Sequence, residues 1–172
     1  MVSISERGVR LSHSILYGLT LLASIIALAI SAALVKYYND NGYPPAHHEA
    51  YKARIRILLV ASVWTVVFGL IFLIGFNTIG RHVAMGILTH LVPTAIGFIL
   101  FLIGVSSLTA LTDKVDCGNS GQSFKRCDIV KGLVVISWID TIFLFLSLAF
   151  IITLAFIAKG WSGVHRSTLY IE

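Results

Sequence analysis

The stretch Cys117-Gly-Asn-Ser-Gly-Gln-Ser-Phe-Lys-Arg-Cys127 lies between two of the most apolar segments of the chain, 83–111 and 129–158. It contains the only two cysteines, ten positions apart. Its glycine, serine and charged residues are typical of a turn-forming loop. Outside this loop the chain consists almost entirely of apolar runs joined by polar connections. We therefore derive the fold by placing these runs outward from the loop.

The amino-acid composition is too apolar for a soluble domain. Hydrophobic residues make up 57% of the 172 residues and charged residues 12%, with a mean hydropathy of +0.89, whereas soluble domains carry about 25% charged residues. The net charge of +5 is spread over 13 basic and 8 acidic residues and forms no basic block. These values predict an integral membrane protein with one compact helical unit, and they exclude a nucleic-acid partner.

Four apolar runs are long enough to be membrane-spanning helices. They cover residues 11–35, 55–76, 83–111 and 129–158, and leave 1–10 and 159–172 as an N-terminal segment and a tail. About 20 residues cross a hydrocarbon core of about 30 Å, and the first run exceeds the apolar region of about 7–15 residues in a secretory signal. We expect an uncleaved first helix. The predicted fold class is an all-α integral membrane protein, a four-transmembrane-helix bundle.

Two connections join the first three spans. Residues 36–54 contain Asn39-Asp-Asn-Gly42 and Pro44-Pro45, which are typical of turns, so we predict a long loop there. Residues 77–82 form a link of only six residues. So short a link makes the second and third spans antiparallel neighbours.

Small residues recur at helical spacing in two of the spans. The third span carries Gly86, His90, Pro93, Gly97 and Gly104, whose positions step by four, three, four and seven and so share one helix face. The first span carries Ala23 and Ala27, four residues apart. Small residues let helices approach closely, so we predict that Gly86, Gly97, Gly104, Ala23 and Ala27 pack against other helices. The alternative is that an apolar helix merely tolerates them.

Asp140 is the one acidic residue deep inside a span. A charged carboxylate at that depth costs on the order of 3 kcal/mol, so we expect it to be paired, hydrogen-bonded or protonated. His90 is excluded as a direct partner, because helix rise places it about 10 Å from one end of its span and Asp140 about 27 Å from the same side. Counting from the other side brings Asp140 level with Ser24 and Thr65. We predict a hydrogen bond to one of these hydroxyls, with either a structural role or a proton- or headgroup-handling role.

The sequence contains no pattern of an enzyme or a metal centre. His47-His48-Glu49 invites a metal-binding interpretation, but no further ligand lies near it in sequence, and we predict a solvated loop. Neither a Ser/His/Asp arrangement nor a metal-spaced histidine cluster nor a phosphate loop is present. We therefore expect no catalytic, cofactor-binding or metal-binding residues, and no cofactor.

Two arguments about orientation disagree. Four spans place both termini on one side with residues 77–82, where five Lys and Arg residues lie, against eight on the side of the two longer loops. The positive-inside rule would put those loops in the cytosol. The cysteines favour the opposite, because two thiols in a flexible loop can meet and disulfides persist in oxidising compartments. Two unrelated reduced thiols are the alternative.

Several features together resemble the MARVEL-domain tetraspan proteins, most of all the fungal branch of non-classical-export and eisosome-associated proteins. They are the four spans, the tight link between the second and third, Arg7 and Arg10 before the first, Trp64 in the second, and the cysteine loop followed by Ser137-Trp-Ile-Asp140. The resemblance covers about 7–158. The length of 36–54 departs from that pattern and leaves the role of this loop open.

The resemblance implies cytosolic termini, an exoplasmic cysteine loop, and a plasma-membrane location with secretory-pathway vesicles as a second one. In that loop we predict a Cys117–Cys127 disulfide, because the two thiols can meet. The resemblance also implies a non-enzymatic role in organising lateral membrane domains or vesicle traffic. The partners would be membrane lipids, such as those of sterol-rich domains, and further copies of the chain or other membrane proteins. The alternative is a small oligomeric transporter or channel component that uses Asp140, because ionisable residues inside a membrane mark functional sites.

Overall fold

A computed structural model describes residues 6–44, 47–79, 87–113, 115–118 and 125–157. Every regular element in these residues is an α-helix. The helices are α1 (Glu6–Asn41), α2 (His48–Ile79), α3 (Ile87–Thr112) and α4 (Cys127–Ile157). All four are long and apolar enough to cross a membrane. The predicted all-α, four-helix class is confirmed to this extent, and it indicates a multi-pass membrane protein. The side on which the termini lie stays a prediction.

The four helices pack in cyclic order. α1 packs against α2 and α4, and α3 packs against the same two helices from the other side. α2 and α3 are antiparallel: the Tyr51 hydroxyl near the start of α2 donates to the carbonyl of Leu111 near the end of α3, at 3.1 Å. At the other end of this pair, the ring of Phe72 stacks on that of His90. The antiparallel pairing predicted for the second and third spans is therefore confirmed.

The long loop predicted for residues 36–54 is wrong, because most of that segment is helical. α1 continues to Asn41, and α2 begins at His48. α1 ends at Gly42, which has a positive φ of 82° and whose N–H donates to the Tyr38 carbonyl at 2.9 Å. Such a left-handed glycine is a common helix C-cap. The helices extend beyond the apolar runs because Tyr38 and Tyr51 are buried against the rest of the bundle, at 2% and 3% exposure.

Two apolar clusters fill opposite ends of the bundle. The larger one, here called the disulfide-side cluster, joins the end of α1 to the start of α4 and includes Leu34, Leu58, Phe101, Val105, Val130 and Leu133. The smaller one, the terminal-side cluster, joins the start of α1 to the end of α4 and includes Val9, Tyr17, Phe72, Ile151 and Leu154. The polar side chains of the interior lie between and among these two clusters.

Candidate functional site

One face of α1 carries a row of polar side chains into the bundle. His13, Tyr17, Thr20, Ser24 and Ser31 step by four, three, four and seven residues and therefore share one helix face. Each is buried, with at most 4% of its surface exposed. The outward face of the same helix is apolar. α1 is thus amphipathic, with its polar face toward the interior of the bundle and its apolar face outward, the reverse of a surface helix in a soluble protein.

α4 carries a matching row on its inward face. Ser137, Asp140, Thr141 and Ser147 are all buried, and Asp140 is completely so. Because α1 and α4 pack against each other in opposite directions, the middle of one row meets the middle of the other. The point of contact is the pair of Ser24 and Asp140.

The carboxylate of Asp140 is only half satisfied. Ser24 Oγ donates a hydrogen bond of 2.5 Å to Oδ2. Oδ1 is buried and has no hydrogen-bond partner among the described residues, and the same holds for the nearby Ser137 Oγ. A buried polar atom without a partner costs about 1–3 kcal/mol, and more if it is charged. Asp140 Oδ1 and Ser137 Oγ are therefore unsatisfied polar atoms on the inward face of α4.

Of the two hydroxyl groups predicted as partners of Asp140, one contacts it in the structure. Ser24 makes the contact, whereas Thr65 donates to the carbonyl of Ala61 in its own helix at 2.9 Å. His90 lies far along the bundle. The ring of His90 lies 5.4 Å from that of His13, and His13 is 11 residues from Ser24, about 16 Å along α1.

His90 belongs instead to an aromatic group near the start of α1. Its ring stacks on Phe72 with centroids 4.3 Å apart, and the ring of His13 lies 5.4 Å away. Tyr17 stacks on His13 at 4.4 Å, and its hydroxyl is 3.0 Å from Thr94 Oγ1. Sequence reasoning missed His13, Tyr17 and Thr94. The signal was present, since polar residues recur every three or four positions within the first apolar run.

Most other interior hydroxyls are bound by their own helix. Thr20 donates to the Leu16 carbonyl at 2.9 Å, Ser62 to Leu58 at 2.7 Å, and Thr141 to Ser137 at 2.7 Å. Such backbone contacts satisfy the hydroxyl without another helix. These three side chains therefore have little capacity left for a ligand, in contrast to Asp140 and Ser137.

A cavity of about 20 Å³ lies beside the aromatic group. All four helices contribute to its walls, which include Tyr17, Trp64, Thr65, Thr94 and Leu144. The volume would admit one water, but a cavity with so apolar a surface stays dry. Neither Ser24 nor Asp140 lines it.

The predicted small residues lie at helix contacts where the structure describes them. A Cβ added to Gly104 would meet Leu58 Cδ2 at 2.8 Å, and one added to Gly97 would meet Thr65 Oγ1 at 3.2 Å. Both glycines thus let α3 approach α2 closely. Ala23 and Ala27 are buried on α1, at 4% and 0% exposure. Gly86 lies outside the described residues.

Cys117 and Cys127 form a disulfide, with their Cα atoms 5.6 Å apart. Cys127 is also the first residue of α4, so the bond ties the loop to a helix end. Two contacts hold the neighbouring residues on α1: Tyr38 Oη donates to the Lys125 carbonyl at 2.8 Å, and the Arg126 guanidinium lies 4.4 Å above the Tyr37 ring. The described residues 125–127 are thereby held against α1.

His47-His48-Glu49 lies at the start of α2 on the surface. Glu49 contacts His48 at 3.1 Å and Lys52 at 3.6 Å, and all three residues are at least partly exposed. Within the described part of the chain, no group of three His, Cys, Asp or Glu side chains could hold a metal ion. Glu49 thus forms an exposed ion pair with Lys52 and a hydrogen bond with His48.

Compared with known proteins, the chain matches no family model, no curated protein and no solved structure. The resemblance to MARVEL-domain proteins stays a prediction from the sequence pattern. What the chain does must therefore be argued from the geometry of the bundle.

Proposed function

We propose that this chain is a non-enzymatic four-span membrane protein that organises lateral domains of the plasma membrane, or vesicle traffic, through contacts of its helices with lipid and with other spans. In this proposal the termini are cytosolic and the disulfide loop is exoplasmic, as in the MARVEL-domain proteins that the sequence resembles. The partners are lipids, further copies of the chain or other membrane proteins.

The observation that carries the proposal is the outward surface of the bundle. Large apolar side chains project from all four helices, and many are more than 40% exposed. They include Leu11, Ile15 and Leu22 on α1, Val60, Val67 and Ile74 on α2, Val92, Ile99 and Ile103 on α3, and Val135, Ile142, Phe145 and Phe156 on α4. An apolar surface on every side suits a protein whose contacts are lateral.

The interior supports the same proposal. The disulfide-side cluster fills one half of the bundle with apolar side chains, and Leu58, Phe101, Val105 and Leu133 in it are completely buried. The buried polar side chains on that side of Asp140 include Ser31, Ser62 and Ser137, which are uncharged hydroxyls among apolar neighbours. A path for ions or polar solutes needs a continuous row of polar side chains or a water-filled cavity through the whole membrane. The packing accordingly favours lateral association over conduction through a single bundle.

Photo-crosslinking from the surface of α4 tests the proposal. A photoreactive residue at Ile142, which is 55% exposed, is compared with one at Leu144, which is 3% exposed. We expect crosslinks to a second copy or to other membrane proteins from position 142 and not from position 144. A fluorescent fusion of the full chain should also cluster in the membrane. An even distribution in cells together with no crosslink from position 142 would contradict the proposal.

A small oligomeric transporter or channel component is the second candidate. The half-satisfied carboxylate of Asp140 favours it, because buried ionisable groups in membrane proteins often handle ions or protons. One four-helix bundle offers little room for a path, so several copies would have to form it together. Purified protein in liposomes would then carry a flux of protons or ions that Asp140→Asn abolishes. Clustering in cells without such a flux supports the organiser.

A further inference from the structure

The interior of the bundle contains a carboxylate without a counter-charge. Within 11–35, 57–79, 91–112 and 132–157, Asp140 is the only Asp, Glu, Lys or Arg. Its side chain is completely buried, and Oδ1 has no hydrogen-bond partner in the part of the chain that the structure describes. Buried charges in proteins are paired or bind an ion. No basic residue of these helix segments can supply the partner.

The hydroxyl oxygen of Ser137 also lacks a hydrogen-bond partner among the described residues. Ser137 lies three residues before Asp140 on the same face of α4, a spacing that puts Cβ atoms about 5–6 Å apart. Its Oγ is fully buried. Ser24 approaches from α1 and contacts the other carboxylate oxygen. Hydroxyl side chains from two helices therefore lie near one carboxyl group.

The remaining titratable groups of the interior are too far away to neutralise it. On α1 they are Tyr17 and His13, seven and eleven residues from Ser24, which is about 10 and 16 Å along the axis. On α3 it is His90, whose ring lies 5.4 Å from that of His13, so His90 is similarly far from the carboxyl group. α2 carries no titratable group between residues 57 and 79. None of the described residues of the bundle interior therefore places a positive charge beside the carboxyl group of Asp140.

We propose that Asp140, Ser137 and Ser24 form a binding site for one small monovalent cation, either a proton or an alkali ion such as Na⁺. Carboxylate and hydroxyl oxygens are suitable ligands for hard cations, and a single charge balances the single carboxylate. The site does not depend on the proposed function, because a membrane organiser and a transporter could each contain it.

Thermal unfolding of the purified full chain in detergent tests the site. The melting temperature is measured in NaCl and in N-methyl-D-glucamine chloride at equal ionic strength, each over a pH series. Bound cation stabilises the folded state, so we expect the melting temperature to rise by on the order of 3 °C for each tenfold increase of the bound species above half-saturation. A rise with Na⁺ that acid suppresses identifies the alkali ion. A rise with acid alone identifies the proton.

Two variants make the result specific. Asp140→Asn keeps the size of the side chain and should remove the response of the melting temperature to Na⁺ and to acid. Asp128→Asn, at an exposed position of the same helix, should respond as the unmodified chain does. His13 and His90 are present in both, so their titration cancels in the comparison. Equal responses in Asp140→Asn and the unmodified chain would overturn the proposal.

Ser137→Ala provides the test if Asp140→Asn does not fold. This variant keeps the carboxylate and removes only a hydroxyl that has no partner among the described residues. We expect the midpoint of the response to shift about tenfold in Na⁺ concentration, or by about one pH unit. An unchanged midpoint in folded Ser137→Ala would also overturn the proposal.

Discussion

Ser24 Oγ lies 2.5 Å from Asp140 Oδ2, although the two residues are 116 positions apart in the chain. This hydrogen bond joins the first helix to the last, and both of its side chains are completely buried. It therefore holds α1 against α4, two neighbouring helices that are not consecutive in the chain. Whatever Asp140 binds, the bond to Ser24 fixes how α1 and α4 meet.

Ser24→Ala should destabilise the bundle. The change leaves Oδ2 without its donor, and a buried acceptor without a partner costs about 1–3 kcal/mol. Ser12→Ala is the matched control, since Ser12 is an exposed serine of the same helix. Unfolding of both variants in a mixed detergent series should show a loss for Ser24→Ala alone. Equal midpoints for the two would mean that the hydrogen bond contributes nothing to stability.

The sequence predicts the depth of the Ser24–Asp140 contact but not the choice of Ser24 as the partner. Counting residues from the ends of the spans selects Ser24, because the rise of a helix is fixed and membrane-length helices start and stop at similar depths. The same counting cannot choose between Ser24 and Thr65. That choice depends on the rotation of each helix about its axis, which is set by packing among all four.

The wrong loop prediction for residues 36–54 and the failure to single out His13 also arise because packing is not visible in the local sequence. Residues 36–54 contain tyrosine, asparagine and proline, and local propensity alone favours a loop there. In the bundle, burial of Tyr38 and Tyr51 outweighs that preference and extends both helices. His13 escapes notice because it lies in a run that is long and apolar on average. An average over the run hides which face a single polar residue occupies.

Gly104→Ala should weaken the contact between α2 and α3. The added Cβ would lie 2.8 Å from Leu58 Cδ2 and 3.2 Å from Ile57 Cγ2, and Leu58 is completely buried and cannot move aside freely. Overpacking of this kind costs about 1–3 kcal/mol. Gly132→Ala is the control, because nothing lies within 4 Å of its added Cβ, and alanine there should instead stabilise the helix by up to about 1 kcal/mol.

The two alanine variants should therefore shift the melting temperature in detergent in opposite directions. Gly97→Leu extends the test to the second glycine, where Thr65 and Trp64 leave no room for a large side chain. We expect it to lower both the melting temperature and the yield of folded protein. If Gly104→Ala and Gly97→Leu had the same melting temperature as Gly132→Ala, α3 would not approach α2 as closely as the two glycines indicate.

The disulfide should protect both cysteines and stabilise the loop. In non-reduced protein, neither Cys117 nor Cys127 should react with an alkylating reagent, and both should react after reduction. Closing a loop of this size stabilises by about 2–3 kcal/mol in a chain-entropy model. A paired Cys117→Ser and Cys127→Ser variant should show that loss in its unfolding midpoint.

The same reagent tests the orientation. After mild reduction of intact cells, a membrane-impermeant thiol reagent should label the loop if it is exoplasmic. Protein released from permeabilised cells serves as the control for complete labelling. Labelling only after permeabilisation would place the loop in the cytosol, as the count of basic residues on the two sides suggests, and would contradict the orientation taken from the MARVEL resemblance.

The hydrogen bond between Tyr17 and Thr94 should hold α1 to α3 across the centre of the bundle. Their hydroxyls are 3.0 Å apart, and both side chains are buried. Tyr17→Phe removes one partner and keeps the ring that stacks on His13, so its effect reports the hydroxyl. Thr94→Val removes the other partner at almost constant volume. Each single change should cost about 0.5–1.5 kcal/mol.

The double variant of Tyr17 and Thr94 should cost little more than either single one, because the second change removes a bond already broken. Unfolding midpoints of the three variants in one detergent series measure this coupling. Strictly additive losses would show that the two hydroxyls act independently, and that the contact between α1 and α3 depends on the rings alone.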